Sequence, residues 1–283
     1  MGDPKIILHG GFFSEAETSD TIKQAKQKAL SDIVKKGYLY IQDHAALESV
    51  VYVTELLEDC DLFNAGIGSQ IQRDGKIRMS ASLMDGVSLK FTGVINIEDV
   101  KNPIRVAERL LLFEDRVLGG EGAIQFARMQ GFGFYKTETT QRRKEFEAKR
   151  GAAGLGTVGC VVLDSEGGLA AATSTGGKGF EMPGRVSDSA TVAGNFANDV
   201  CGVSCTGVGE DIVSGAVATK IVTRVTDGLS LREACERTFD ELKPFDGFAG
   251  AIAIDKKGNT FHIDSHPSMV FASFDGDKLS VFD

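Results

Sequence analysis

The sequence predicts an α/β fold: one domain of mostly antiparallel sheets covered by helices, written in two segments around a flexible joint. Three observations carry this. Helical and strand periodicities mix in the first half and start over with strands after residue 157. Between them lies the one composition break in the chain, Gly151-Ala152-Ala153-Gly154-Leu155-Gly156, with too little side chain to pack and too much backbone freedom to order cheaply. Neither half holds enough strand for an independent sheet packed on both faces, so the two must share a core.

Lys5 to His9 reads as a short buried strand. Thr18 or Ser19 then caps a helix whose apolar face is Ile22, Ala25, Ala29 and Ile33, ending before Gly37. Leu47, Val50, Val51, Thr54 and Leu57 lie at helical spacing and mark a second helix. From Gly68 the pattern changes to strands, with Asp74-Gly75 as a hairpin turn between Gln70-Gln72 and Lys76-Leu83. Helical patterns return at Ile104 to Phe113 and Ala123 to Met129, and the charged stretch Lys136 to Arg150 reads as a solvated helix or a mobile connector.

Beyond the break, strands are expected at Thr157 to Asp164 and Leu169 to Thr175, joined by Glu166-Gly167-Gly168, then at Val192 to Gly194 and Gly202 to Thr206. Helices follow at Asp211 to Thr226 and Ser230 to Leu242. The chain closes in strands punctuated by Lys257-Gly258-Asn259 and Asp275-Gly276.

With 40 acidic against 31 basic residues, the net charge of −9 offers no stripe for a phosphate backbone, so nucleic acid is not an expected partner. Apolar runs such as Cys160-Val161-Val162-Leu163 are too short to span a bilayer, and the first ten residues carry no secretory pattern. Five scattered cysteines without a CxxC pair suit a reduced cytoplasm, and all five read as buried small hydrophobes. Phosphate-binding glycine loops, HExxH, GxSxG and EF-hand patterns are missing from the sequence. His9, His44, His262 and His266 show no metal spacing and read as structural side chains.

The informative junction is Gly154-Leu155-Gly156-Thr157-Val158-Gly159, where the glycine-rich segment meets a buried strand. The Thr157 hydroxyl could attack the preceding carbonyl, because Gly156 has no side chain to block the approach. That would cut the chain. The freed α-amine, with an ordinary pKa near about 7.7 to 8.0, can then serve as general base to its own hydroxyl. Three further clusters stand out: Ala172-Thr173-Ser174-Thr175-Gly176-Gly177, Pro183-Gly184-Arg185-Val186-Ser187-Asp188-Ser189, and Ser204-Cys205-Thr206-Gly207-Val208-Gly209-Glu210. An Arg can grip a carboxylate through two parallel hydrogen bonds, and Asp188 three residues on can meet an ammonium; taken alone, the pair could equally be a surface salt bridge. Gly207 and Gly209 sit where a strand turns into a helix, with bare amides facing any developing negative charge.

These clusters, with His9-Gly10-Gly11, the run Leu56 to Gly68, Met84-Asp85-Gly86 and Asn102-Pro103, resemble the plant-type asparaginase and isoaspartyl peptidase family of N-terminal nucleophile hydrolases over nearly the whole chain. The resemblance implies a four-layer αββα sandwich, made as a precursor and cut between Gly156 and Thr157. The products would be an α chain, 1–156, with its flexible connector at about 136–156, and a β chain, 157–283, which stay together and pair into a dimer of cleaved units. It implies Thr157 as nucleophile, Thr175 supporting its hydroxyl and amine, and Asn64 contacting the nucleophile region. Arg185 would take the substrate's α-carboxylate and Asp188 its α-ammonium, Thr206 and the Gly207 amide would form the oxyanion hole, and Gly209 would line the pocket.

No cofactor is implied for catalysis. A structural sodium ion is implied on the backbone carbonyls of Leu57, Glu58, Cys60, Phe63, Ala65 and Ile67. The implied reaction is hydrolysis of a small-molecule side-chain amide, a β-aspartyl dipeptide or L-asparagine. Two alternatives stay open: a glycosylasparaginase-like hydrolase of substituted asparagine, and an uncleaved scaffold. Phe12-Phe13, Ser80, Ser187 and Phe248 depart from the family pattern, and their bulk would narrow or reshape the pocket; the connector is also short for the family.

Overall fold

The structure, a computed structural model, describes residues 2–13, 20–148 and 156–283. The first half supplies strands β1 (Lys5–Phe12), β2 (Met79–Asp85), β3 (Lys90–Ile97) and β4 (Val117–Gly119). The second half supplies β5 (Val158–Leu163), β6 (Leu169–Thr175), β7 (Asn195–Ala197), β8 (Cys201–Gly207), β9 (Ala249–Asp255), β10 (Thr260–Asp264), β11 (Met269–Phe274) and β12 (Leu279–Val281). The helices are α1 (Asp20–Ile41), α2 (Ala46–Glu58), α3 (Pro103–Arg109), α4 (Gly120–Met129), α5 (Thr140–Glu147), α6 (Gly209–Gly215), α7 (Val217–Thr226) and α8 (Leu231–Asp240).

Two sheets stack face to face between two helical layers, giving a four-layer αββα sandwich. The larger sheet runs β12-β11-β1-β5-β6-β2-β3-β4, antiparallel except for the β3–β4 pair. The smaller runs β10-β9-β8-β7 and is antiparallel throughout. The large sheet mixes both halves of the chain, as a shared core requires. The strands of the small sheet all come from residues after 157, but one of its faces packs on the mixed sheet, so it is not independent of the first half.

Period-two alternation sorts each strand between apolar layers. On β5, Val158, Cys160 and Val162 face α1 and α2, while Val161 and Leu163 face the other sheet. On β1, Ile6 and Leu8 join the helical side and Ile7 the middle. On β8, Cys201, Val203 and Cys205 face α7 and α8, leaving Gly202, Ser204 and Thr206 turned toward the large sheet. Full burial of each such aliphatic side chain contributes about 1.5 to 3 kcal/mol, so truncating Leu8 to Ala costs about 2 to 5 kcal/mol.

Several local expectations shift. The first helix runs through Gly37 to Ile41 instead of stopping before it, because Gly37 lets α1 seat against its neighbours: a Cβ there would lie 2.5 Å from Val53 Cγ2 and 2.7 Å from Ile6 Cδ1. Its buried face is Lys26, Leu30, Ile33, Val34, Gly37 and Ile41, and the proposed Thr18 or Ser19 cap lies outside the described residues. The Asp74-Gly75 turn forms, but Gln70-Gln72 is not a strand arm and regular strand begins only at Met79. The strand expected at Val192 to Gly194 lies at Asn195–Ala197. The helix expected from Asp211 to Thr226 is broken at Ala216, which adopts φ +48°. Ser230 caps α8 in a full capping box with Glu233. Of the charged stretch 136–150, the helical reading is realised as α5, which stacks Phe146 on Phe180 at 5.0 Å and sends Arg142 Nε to the Gly68 carbonyl at 2.7 Å. The glycine-rich part, 151–155, lies outside the described residues.

Register carries the end of β1 to the start of β5, with His9 opposite Gly159, and sets Val158 opposite Ser174 and Ser80 opposite Thr175. The β5–β6 turn is tied to α2 through Asp164, whose Oδ1 accepts from Glu166 and Gly168 and whose Oδ2 accepts from the Ala46 amide at 2.8 Å. The nucleophile candidate is thus fixed from both strand neighbours.

Candidate active site

Thr157, Thr175 and Thr206 all project into the space between the sheets, a consequence of strand alternation: Thr157 shares its face with Val161, Thr175 with Ala171, and Thr206 lies on the face opposite the helix-facing Cys201, Val203 and Cys205. Thr157 lies immediately before β5 and is buried. Its Oγ1 donates to Thr175 Oγ1 at 3.2 Å, and Thr175 Oγ1 in turn donates to the Gly156 carbonyl at 3.3 Å while accepting from the Gly177 amide at 3.2 Å. Asn64 completes this side. Its Nδ2 donates to the Gly156 carbonyl at 2.7 Å and to the Gly177 carbonyl, and its Oδ1 accepts from the Gln70 amide at 3.0 Å. Two donors therefore converge on the carbonyl that precedes Thr157, and Gly156 is required there: a Cβ would sit 2.8 Å from Asn64 Cβ.

The second cluster joins Arg185, Asp188 and Gly209. Asp188 starts a helical turn, Asp188–Ala190, packed against β6 and β8. Arg185 Nη2 and Asp188 Oδ1 stand 3.0 and 2.9 Å from where a Gly209 Cβ would be, so both heads crowd the same small volume at the start of α6. Burial pushes the Asp188 carboxyl up to about 7, against the pull of Arg185, and its Oδ2 has no hydrogen-bond partner among the described residues. Thr206 Oγ1, fully buried on β8, likewise has none. Gly207 follows at φ +135°, a backbone shape that a side chain would strain. A buried polar atom is costly unless it is hydrogen-bonded, so both atoms call for a partner.

The run 57–68 forms the end of α2 and the turn that delivers Asn64. The carbonyls of Leu57, Glu58 and Cys60 accept from the amides of Cys60, Ile67 and Phe63 at 3.3, 2.7 and 3.2 Å. The carbonyls of Phe63 and Asp61 crowd Gly68, 2.7 and 2.8 Å from where its Cβ would be, so oxygens converge where a side chain is absent. Of the six carbonyls expected to hold a sodium ion, those of Leu57, Glu58 and Cys60 thus already accept a backbone amide each.

Sequence reasoning missed two contributors. Glu210, which closes the third cluster, accepts Arg185 Nε and Nη2 at 2.8 Å each, and this pairing pulls its carboxyl down to about 2. An acid in the first turn of a helix beside an Arg-reading motif was the available signal. His9, taken as a structural histidine, donates to the Thr157 carbonyl from Nδ1 at 3.0 Å, and nothing local in the sequence announces that contact.

The departing residues have visible places. Phe12 is buried edge-on to Phe248 at 4.6 Å, and Phe248 stacks on His266 at 4.6 Å while its carbonyl accepts from the Val208 amide at 2.9 Å. Phe13 packs away from the site, edge-on to Phe282 at 5.2 Å. Ser80 Oγ accepts from the Asn96 amide at 3.1 Å, and Ser187 Cβ lies 2.8 Å from the Gly209 Cβ position.

A protein-family model described as asparaginase matches residues 2–154 and 135–282. The chain is 42% identical to an isoaspartyl peptidase/L-asparaginase of Nostoc sp., over 98% of this chain and 93% of that protein. It is 39% identical to the isoaspartyl peptidase of Escherichia coli, over 92% and 89%. A plant-type L-asparaginase of Pyrococcus abyssi is 34% identical over 90% of each chain.

Proposed function

The chain belongs to the asparaginase family, and on that premise we propose that it cuts itself before Thr157 and then releases L-aspartate from β-aspartyl dipeptides and L-asparagine. The observation that carries the proposal is the Gly156 carbonyl, gripped by Asn64 Nδ2 at 2.7 Å and Thr175 Oγ1 at 3.3 Å while the Thr157 hydroxyl lies on Thr175. Donors aimed at a carbonyl stabilise the charge that develops when it is attacked. In the first reaction Thr157 Oγ adds to the Gly156 carbonyl carbon, the peptide C–N bond breaks, and water hydrolyses the resulting ester. This leaves a Gly156 carboxylate and a free Thr157 α-amine.

In turnover that amine takes the proton from its own hydroxyl, and Oγ adds to the β-carbonyl of the substrate. The oxyanion meets Thr206 Oγ1–H and the Gly207 amide, the leaving amine departs with the proton, and water hydrolyses the β-aspartyl ester. Arg185 pairs with the α-carboxylate and Asp188 with the α-ammonium. Gly209 leaves room for that head group between them.

A sodium ion on the carbonyls of Leu57, Glu58, Cys60, Phe63, Ala65 and Ile67 would brace the turn that aims Asn64. Cleaved units would pair into a dimer. Cys160, Cys201, Cys205 and Cys235 are buried thiols as expected, whereas Cys60 is only partly buried; five free thiols without a pairing pattern support a reducing, cytoplasmic setting.

Intact mass and amino-terminal sequencing of fresh and aged protein test activation, and aspartate release from β-aspartyl dipeptides tests turnover, with glycosylated asparagine assayed alongside. A fragment beginning at Thr157 and release of aspartate from the dipeptide are expected. A chain that stays whole and inert overturns the proposal.

A further inference from the structure

Directly beneath the three threonines lies a second polar layer that the reaction itself does not use. His9 on β1, Thr173 on β6 and Ser204 on β8 each sit two residues inward, about 7 Å deeper along their strands, from the positions that end in Gly11, Thr175 and Thr206. All three are fully buried. His9 Nε2 lies 3.0 Å from Ser204 Oγ, Ser204 Oγ lies 2.6 Å from Thr173 Oγ1, and His9 Nδ1 lies 3.0 Å from the Thr157 carbonyl oxygen. Space for this layer is made by Gly159, where a Cβ would fall 2.0 Å from Ser204 Oγ and 2.4 Å from His9 Nε2.

The proton positions follow by elimination. A carbonyl oxygen only accepts, so His9 Nδ1 carries hydrogen. Complete burial holds the imidazole down at about 3, so Nε2 is bare and accepts the Ser204 hydroxyl. Ser204 has then spent its proton, and Thr173 must donate to it. The chain of donors runs Thr173 to Ser204 to His9 to the Thr157 carbonyl, with each link setting the next.

We propose that His9, locked in the Nδ1–H tautomer by Ser204 and Thr173, is a positioning residue that aims Thr157 by holding its carbonyl. This rests on the reading of Thr157 as nucleophile. The Thr157 carbonyl is one of the few handles on that residue after the cut, since cleavage frees its amine from Gly156 and leaves its hydroxyl to the chemistry. The same relay ties β8 to β1 and β6 across the two sheets and reaches Thr157 through His9, so it also fixes the spacing between Thr157 and Thr206.

The test compares His9→Asn, which keeps a donor near Nδ1, with His9→Leu, of similar size and without one, and adds Ser204→Ala and Thr173→Val, which remove the lock. Each is assayed for kcat and KM on a β-aspartyl dipeptide. His9→Leu is expected to lower kcat about 100-fold with KM within about twofold. His9→Asn should recover most of that loss, and the two lock variants should lose about tenfold. Nitrogen-15 NMR of the imidazoles in the intact protein reads the tautomer independently of activity: His9 should be protonated at Nδ1 and bare at Nε2. An Nε2–H tautomer, or equal kcat for the Asn and Leu variants, overturns the proposal; if His9→Leu does not fold, unchanged kcat in both lock variants does so. An inert wild-type protein instead overturns the reading of Thr157 as nucleophile.

Discussion

The two sides of the site are bonded very differently. Around Thr157, the side-chain polar atoms of Thr157, Thr175, Asn64 and His9 all have partners, and with Gly177 they close a network on Gly156 and Thr157. On the facing side, Asp188 Oδ2 and Thr206 Oγ1 are buried and lack hydrogen-bond partners among the described residues. Under the proposed function, the first set holds the nucleophile in place and the second set faces the substrate. The first arrangement costs little in the free chain. The second is a standing penalty of about 1 to 3 kcal/mol for each orphan.

The sharpest way to break this contrast is on the satisfied side. Thr157→Ala should abolish both chain cleavage and turnover, a loss of at least about 10,000-fold in kcat, measured on intact mass and aspartate release. Residual turnover near the wild-type rate would mean that the network holds something other than the nucleophile.

On the waiting side, Thr206→Val should lower kcat by about 100-fold, because one donor to the developing oxyanion is lost. The same change should raise stability by about 1 kcal/mol in thermal unfolding, since it removes an orphaned buried hydroxyl. A residue that merely packs would lose stability and keep its rate.

Asp188 adds a pH signature. Its carboxyl, raised by burial to about 7, ionises only above that point, and only the ionised form attracts an ammonium. KM should therefore fall as pH rises toward 7, by up to about tenfold per unit, and Asp188→Asn should flatten that slope. The stability sign is opposite. A carboxyl whose folded pKa is raised binds more protons folded than unfolded between about 4 and 7, so the wild-type protein loses stability as pH climbs through that window. The Asn variant should match it at pH 4 and exceed it at pH 8 in chemical denaturation.

The smallest expected effect concerns Glu210. It occupies the Nε edge of the Arg185 guanidinium, leaving Nη1 and the outer hydrogen of Nη2 for a ligand, so it orients the fork without filling it. Glu210 is half exposed and its pairing is screened, so Glu210→Gln should raise KM only about five- to tenfold with kcat unchanged. A fall in KM would identify Glu210 as a competitor for the substrate carboxylate instead.

The sequence was most informative where chemistry and local backbone shape coincide. The Gly156–Thr157 junction stood out on residue type and neighbours, while Arg185, Asp188, Thr206 and Gly207 were given their roles by the family resemblance; the structure brings these segments to one end of the sandwich. Residues whose role depends on a distant partner were not legible. Glu210 lies 25 positions from Arg185, and His9 lies 148 positions from the carbonyl it holds. Gly37 read as a helix stop because its purpose, the close approach of Val53 and Ile6, belongs to packing and not to local propensity.

By itself the sequence determined the strand and helix periodicities, the glycine-rich break and the hydroxyl that follows it, because these are properties of near neighbours along the chain. Only the tertiary structure decided how strands from both halves interleave in one sheet, which carbonyl each donor reaches, and which buried atoms are left waiting. Those outcomes depend on register between segments more than a hundred residues apart, and no local pattern encodes a distance across two sheets.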